Sequence, residues 1–184
     1  MKTYIEPHMR TALTGHTLTP LVRDEGARIE VWRMARAGTR AMSVQIAGTP
    51  EGICLMGDLH PGPDRNGCCS VFGRGLRWFS QEQMSESDLC SKFLTRAWVP
   101  EIAAETLRRW GANPGDYGLE ACQAGTIRVL ATRVHDCDER QFYDALTELG
   151  LDDGDGIPGY GYPPEDAGWL CAIQERFSAL YRER

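Results

Sequence analysis

Apolar residues recur along this chain at two periods, and the change from one to the other near residue 80 organises the whole sequence. In "RAMSVQI" (40–46) Met42, Val44 and Ile46 alternate with Ala41, Ser43 and Gln45, the period of two that places one face of a strand on a core. Upstream, "ARIEVWRMA" repeats the alternation, with Ile29 and Val31 against Glu30 and Trp32. The turn-like "RAGT" between these runs predicts a hairpin. "EGICLMGDL", "GCCSVFG" and "LRWF" continue the pattern between Gly and Pro-rich breaks, which predicts a meander of antiparallel strands.

Beyond residue 80 the spacing is helical. In "SESDLCSKFLTR" Ser85 precedes Asp88 by three residues, a capping-box-like start, and Leu89, Phe93 and Ala97 share one helical face. Pro100 suits the first position of a second helix, with Ile102, Ala103, Thr106, Leu107 and Trp110 as its buried stripe. "TIRVLATRV" alternates Ile127, Val129 and Ala131 against Arg128, Leu130 and Thr132 and predicts a strand, with a helix as the alternative. Asp138 caps a further helix bearing Phe142, Ala145, Leu146 and Leu149, closed by Gly150. After the irregular "LDDGDGIPGYGYPPEDAG", Trp169, Ile173, Phe177 and Leu180 predict a terminal helix on the sheet, with Glu175, Arg176 and Arg182 facing out.

The expected fold is therefore α+β, an antiparallel N-terminal β-meander packed against helices from the C-terminal half, and 184 residues suit a single domain over 1–184. Hydrophobic content of 42% and charged content of 25% are those of a globular chain. The formal charge of −6 argues against a general nucleic-acid coat, whose affinity rests on neutralising phosphates, so no direct nucleic-acid binding is expected. All but two of the 20 basic residues are arginine, as a GC-rich genome would produce. No apolar run reaches membrane-spanning length and the N-terminus lacks signal-peptide character, so a cytoplasmic protein is expected. In that compartment the seven irregularly spaced cysteines read as reduced thiols without disulfides.

Chemistry is sparser. "GDLHPGPDRNGCC" (57–69) gathers Asp58, His60 and Asp64, and its Gly-Asp-x-His resembles the first metal motif of the calcineurin-like phosphoesterases. That resemblance implies a two-metal centre with Asp58 and His60 as ligands, and it needs several more Asp, Asn and His ligands from later loops. The chain has only four histidines and no Gly-Asn-His segment. Asp58, Pro61, Pro63 and Asn66 also suit a plain turn. "DDGDG" (152–156) fails the calcium-loop pattern, with Ile157, Pro158 and Pro164 where a ligand, a Gly and a Glu belong. In "HDCD" (135–138) a base and a thiol are neighbours in sequence, but Asp138 is already a helix cap. No catalytic residue, metal or cofactor is expected, and a metal-dependent phosphoesterase or nuclease using Gly-Asp-x-His remains the alternative.

What is left is surface suited to contact. "GRGLRWFS" offers Arg74, Arg77, Trp78 and Phe79, and "GYGYPP" offers Tyr160 and Tyr162, residue types that dominate protein interfaces. The glycine-rich turn after a short strand, the "WF" pair, "SESDLCSKFL" and "GWLCAIQERFSALY" together resemble small phage and prophage-encoded proteins of proteobacteria. The resemblance spans about residues 50–182. It implies an accessory protein, of the anti-CRISPR or a related anti-defence kind, that binds and inhibits a host protein or ribonucleoprotein complex in the host cytoplasm, away from membranes.

Overall fold

The computed structural model describes residues 5–38, 43–57, 68–82, 84–151 and 158–183. The chain falls into two compact units, Met1–Thr95 with Pro164–Arg184, and Arg96–Pro163. The fold is α+β. Among the described residues no helix is long and apolar enough to cross a membrane.

In the first unit, helix α1 (Pro7–Leu13) precedes five strands: β1 (His16–Asp24), β2 (Ile29–Arg36), β3 (Val44–Gly48), β4 (Gly52–Gly57) and β5 (Cys68–Phe72). They pair in sequence order, every pair antiparallel; the alternating patterns predict β2 to β5, whereas β1 is not among the expected strands. Trp32 lies opposite Ile46, and Ile46 opposite Leu55, and all three are buried. In β2 the buried set is thus Trp32 and Met34, the opposite phase from Ile29 and Val31. β2 is apolar on both faces, so alternation alone could not choose the core side.

Local periods differ from the expected ones at two further places. "LRWF" is not a strand but the one-turn helix α2 (Leu76–Phe79). Leu76 and Phe79 are both buried; three residues apart they share a helical face, whereas in a strand they would point oppositely. Leu76 fills the space above Gly48, where any Cβ would collide with it. Helix α3 (Glu86–Phe93) follows, with the Ser85 side chain accepting from the Asp88 amide as its capping pattern predicts. It buries Leu89 and Phe93 but ends before Ala97.

The terminal helix α7 (Pro164–Arg182) begins five residues before Trp169 and returns to this unit. Leu170, Cys171, Ala172, Ile173 and Gln174 are buried in succession, so more than one side of it is enclosed. Gln174 Nε2 donates to Phe79 O and Gln81 O at 2.9 and 2.8 Å, and Ser178 Oγ donates to Ser80 O at 2.8 Å. One turn on, Arg182 meets the Glu82 carboxylate at 2.5 Å. Positions 174, 178 and 182 lie four apart on one stripe, which grips segment 79–82 residue by residue. Phe177 is fully enclosed, while Trp169 is half-buried against His8.

The expectation that all cysteines are reduced fails at Cys54, which is disulfide-bonded to a partner outside the described side chains. Cys90, Cys122, Cys137 and Cys171 are free. The strand pattern around Cys54 carried no sign of its bonding state.

The second unit contains β6 (Ala97–Trp98), α4 (Pro100–Ala112), α5 (Ala121–Arg133), α6 (Glu139–Glu148) and β7 (Tyr160–Gly161), with β6 and β7 paired antiparallel. Pro100 opens α4 as its position predicts. "TIRVLATRV", read as a strand, belongs to α5. Ala124, Ile127 and Ala131 form its buried stripe at spacings of three and four, while Val129 stands 57% exposed. The Glu120 amide donates to Gln123 Oε1 at 2.8 Å, and Gln123 Nε2 reaches Leu149 O at 3.0 Å, tying the start of α5 to the end of α6. Asp138 caps α6 through the Gln141 amide, and Phe142 and Leu146 join Leu107 and Ile127 in this unit's core.

Truncating Phe177 to Ala is expected to cost about 3–5 kcal/mol, and Trp169→Ala clearly less. Gln174→Leu strips two carbonyls of their donor and should cost on the order of 1–3 kcal/mol for each one left buried. Urea unfolding of the three variants measures the order, and a Gln174→Leu protein as stable as the parent would refute the proposed grip on segment 79–82.

Candidate binding surfaces

Alternation along the strands gives the sheet of the first unit a second face. Val22, Val31, Ala47 and Cys54 lie opposite one another in register across β1 to β4. None of the described side chains on this face is buried: Val22 is 47% exposed, Val31, Ala47, Cys54 and Met56 are half-buried, and Arg33 and Gln45 lie among them in register. At the end of β5, Phe72 is 82% exposed. Soluble proteins seldom leave connected apolar surface open unless something uses it.

Phe72 leads directly into the segment singled out for its arginines and aromatics. Gly73 takes φ +72°, a left-handed turn that favours glycine, and its amide donates to Glu51 O at 2.5 Å. Arg74 is exposed and stacks over the Trp78 ring with its guanidinium 5.7 Å from the centroid. Trp78 is half-buried and stacks on Phe93 at 6.4 Å, and Arg77 is exposed. Phe79 was expected among the binding residues, but it is 0% exposed, enclosed between Phe93 and Phe177. It supports Trp78 from below and presents nothing itself.

Tyr160 and Tyr162 belong to the second unit. Gly159 just before them takes φ +103°, and a Cβ there would press on Trp98 Nε1 and Ala103. This close approach lets the Gly159 carbonyl accept from the Val99 amide at 2.8 Å and lays the tyrosines beside β6. Tyr160 is 41% exposed and its hydroxyl donates to the Glu139 carboxylate, which holds its phenol above the ordinary range. Tyr162 is half-buried beneath Arg96, whose guanidinium lies 5.7 Å from the ring centroid. Tyr143 lies 6.4 Å from Tyr160, and its hydroxyl is buried beside the Tyr160 phenol. Burial pushes its phenol up to about 12, with the charges of Tyr160 and Glu139 adding to the shift.

The residues weighed for bond-making chemistry divide differently. Asp58, His60, Asp64 and the 152–156 acidic run lie outside the described residues. His135 Nδ1 stands 3.9 Å from the Glu101 carboxylate, Cys137 Sγ donates to Arg133 O at 3.4 Å, and Asp138 caps α6, so three of the four side chains of "HDCD" have separate tasks. Cys90 on α3 and Cys171 on α7 are buried thiols in mutual hydrogen-bond contact. That contact, reinforced by burial, raises Cys171 far above the ordinary thiol range. Among the described residues no three His, Cys, Asp or Glu side chains gather as a metal ion requires.

The open sheet face went unread in the sequence. Its one signal was that "RIEVWRM" is apolar in both phases, which requires either two covered faces or one left exposed. No family model, curated protein or solved structure matches the chain.

A raised phenol stabilises the fold fully below its unfolded value near 10 and loses that contribution as pH climbs toward about 12. Ultraviolet titration is expected to include a late tyrosine step near pH 12. Tyr143→Phe should remove that late step. A late step that survives the substitution would reassign it.

Proposed function

We propose that this protein works by contact: an accessory protein of the phage type that binds and inhibits a host protein complex, as an anti-CRISPR or related anti-defence inhibitor does. The single observation that carries the reading is Phe72, a large ring 82% exposed at the margin of the sheet's outer face. Burying such a ring in a partner releases apolar surface from water at about 25 cal/mol per Å². Beside it Arg74 and Trp78 form a stacked pair on a buried aromatic base. Anchors held in place beforehand lose little freedom on binding, and contact energy concentrates in such Trp and Arg side chains. Arg77 extends the same corner, while Tyr160 and Tyr162 offer a second, smaller contact on the other unit.

The tagged protein is expected to retain a defined complex from a bacterial host lysate and to inhibit that complex's activity once it is purified. Phe72→Ser and Arg74→Ala, both at exposed positions, should weaken binding by roughly tenfold or more each, the effect of losing one interface anchor, with unchanged melting. Binding that persists in Phe72→Ser, Arg74→Ala, Tyr160→Ala and Tyr162→Ala alike would refute this assignment of the surface.

A further inference from the structure

Cys90, Cys122, Cys137 and Cys171 are free thiols, and they use their hydrogens differently. Cys122 Sγ donates to the Glu120 carboxylate at 3.3 Å and Cys137 Sγ to Arg133 O at 3.4 Å, each to an oxygen close by in sequence. Cys90 and Cys171 meet each other instead. The Cys171 thiol donates to the Cys90 sulfur, although the two stand on helices far apart in sequence, α3 and α7, which pack together within the first unit. Cys90 is enclosed, at 1% exposure, while Cys171 keeps 8% of its surface open to solvent, enough to admit a molecule the size of water.

Two thiols in contact have a reaction open to them that a single buried thiol lacks. A disulfide needs its sulfurs about 2.05 Å apart, so a touching pair has only to turn its S–H bonds aside and draw the eight-residue α3 slightly toward α7. The hydrogen bond also distinguishes the two members. It favours the charged form of Cys90, the form that attacks oxidants, and leaves Cys171 as the protonated second thiol. Burial and the Glu86 carboxylate oppose negative charge on both, so a thiolate forms at one sulfur and not at the other. Oxidised sulfur is already present in this unit, since Cys54 on β4 is disulfide-bonded.

We propose that Cys90 and Cys171 form an oxidisable pair, a modification site at which a peroxide links α3 to α7 through a reversible disulfide. The Cys90 thiolate attacks one oxygen of hydrogen peroxide; the O–O bond breaks, a sulfenic acid forms, and the other oxygen leaves as water with the proton Cys90 gave up. Cys171 then attacks the sulfenic sulfur, the S–S bond forms, and the sulfenic hydroxyl departs with the Cys171 proton as a second water. Two thiols together lose two electrons, and one peroxide is reduced to two waters. The link fastens the C-terminal helix to α3 across the long stretch of chain between them, and a cross-link that closes a long loop restricts the unfolded chain most. It rests on the meeting of these two helices and is independent of the contact function assigned to the sheet face.

The full chain, treated with hydrogen peroxide while folded and digested without reductant, is expected to yield peptides joined through Cys90 and Cys171. Its urea midpoint should rise on oxidation and return with dithiothreitol. Cys122→Ser, which removes an exposed thiol of the other unit, should oxidise at the pair as the parent does. Cys171→Ser should stop Cys90 at the sulfenic acid, trapped with dimedone, and its midpoint should not rise with peroxide. Because that serine is buried, the peptide map of the unaltered chain decides the matter if the variant does not fold. Sulfinic or sulfonic acid at Cys90 without the cross-link, a cross-link formed only after unfolding in urea, peroxide reacting at Cys122 alone, or equal urea midpoints for the linked and reduced chains would overturn the proposal.

Discussion

The first unit depends on how one polar stripe of α7 meets four residues that belong to no strand. Gln174 sits among buried apolar side chains, a position an amide tolerates only when its hydrogens are used, and both go to carbonyls, of Phe79 and Gln81. Ser178 serves Ser80, and Arg182 meets Glu82. Without these partners segment 79–82 would place backbone acceptors against an apolar helix. With them its path is determined, and so is the exit of α2. Two of the three contacts are made where water is largely excluded, so the pairing is specific as well as stabilising.

From that anchor an aromatic row runs through the unit. Trp78 stacks on Phe93, Phe93 meets Phe79 edge-on, Phe79 packs on Phe177, Phe177 stacks on Tyr181 at 5.1 Å, and Tyr181 meets Trp32 edge-on at 5.7 Å. The row ends in an arginine on each side, Arg74 over Trp78 and Arg23 over Trp32. Glu30 accepts from both the Trp32 indole and the Tyr181 hydroxyl and orients that end. A surface Trp at one end of such a row cannot move without displacing the rings beneath it. Trp78 is thus held on a buried aromatic base, with Arg74 over its outer face.

Much of this was legible in the sequence, and the failures have particular causes. The meander, the Ser85 and Asp138 caps, Pro100 at the start of α4 and Phe177 in the core all follow from local spacing, and the structure has each of them. "TIRVLATRV" failed because Ile127 and Ala131 satisfy a period of four as well as one of two, and packing against Leu107 and Phe142 decides between them. Strand β1 was missed because Pro20 and a register shift after it break the alternation. Arg176 and Arg182 read as outward solvent charges, yet one reaches His16 O and the other Glu82, partners 160 and 100 residues away in sequence. Contacts across that separation leave no local trace. Phe72 was overlooked because a strand-end aromatic is ordinarily core, and only its neighbours in space reveal that it is not.

The same irregularity in β1 bears on how the sheet can meet a partner. β1 and β5 are its edges, and an open edge invites strand addition through backbone hydrogen bonds. Pro20 has no amide to offer, and the register shift between Pro20 and Val22 twists the strand where a straight partner would have to pair. At the other edge α3 packs against β5. Backbone pairing is therefore obstructed at the β1 edge and crowded at the β5 edge, while the face bearing Val22, Val31 and Phe72 keeps its side chains available. Backbone pairing is indifferent to the partner's sequence, but a contact through side chains requires a complementary shape. Protection of the edges against indiscriminate pairing leaves side chains of the outer face, rather than backbone groups, as the means by which this sheet could make a selective contact.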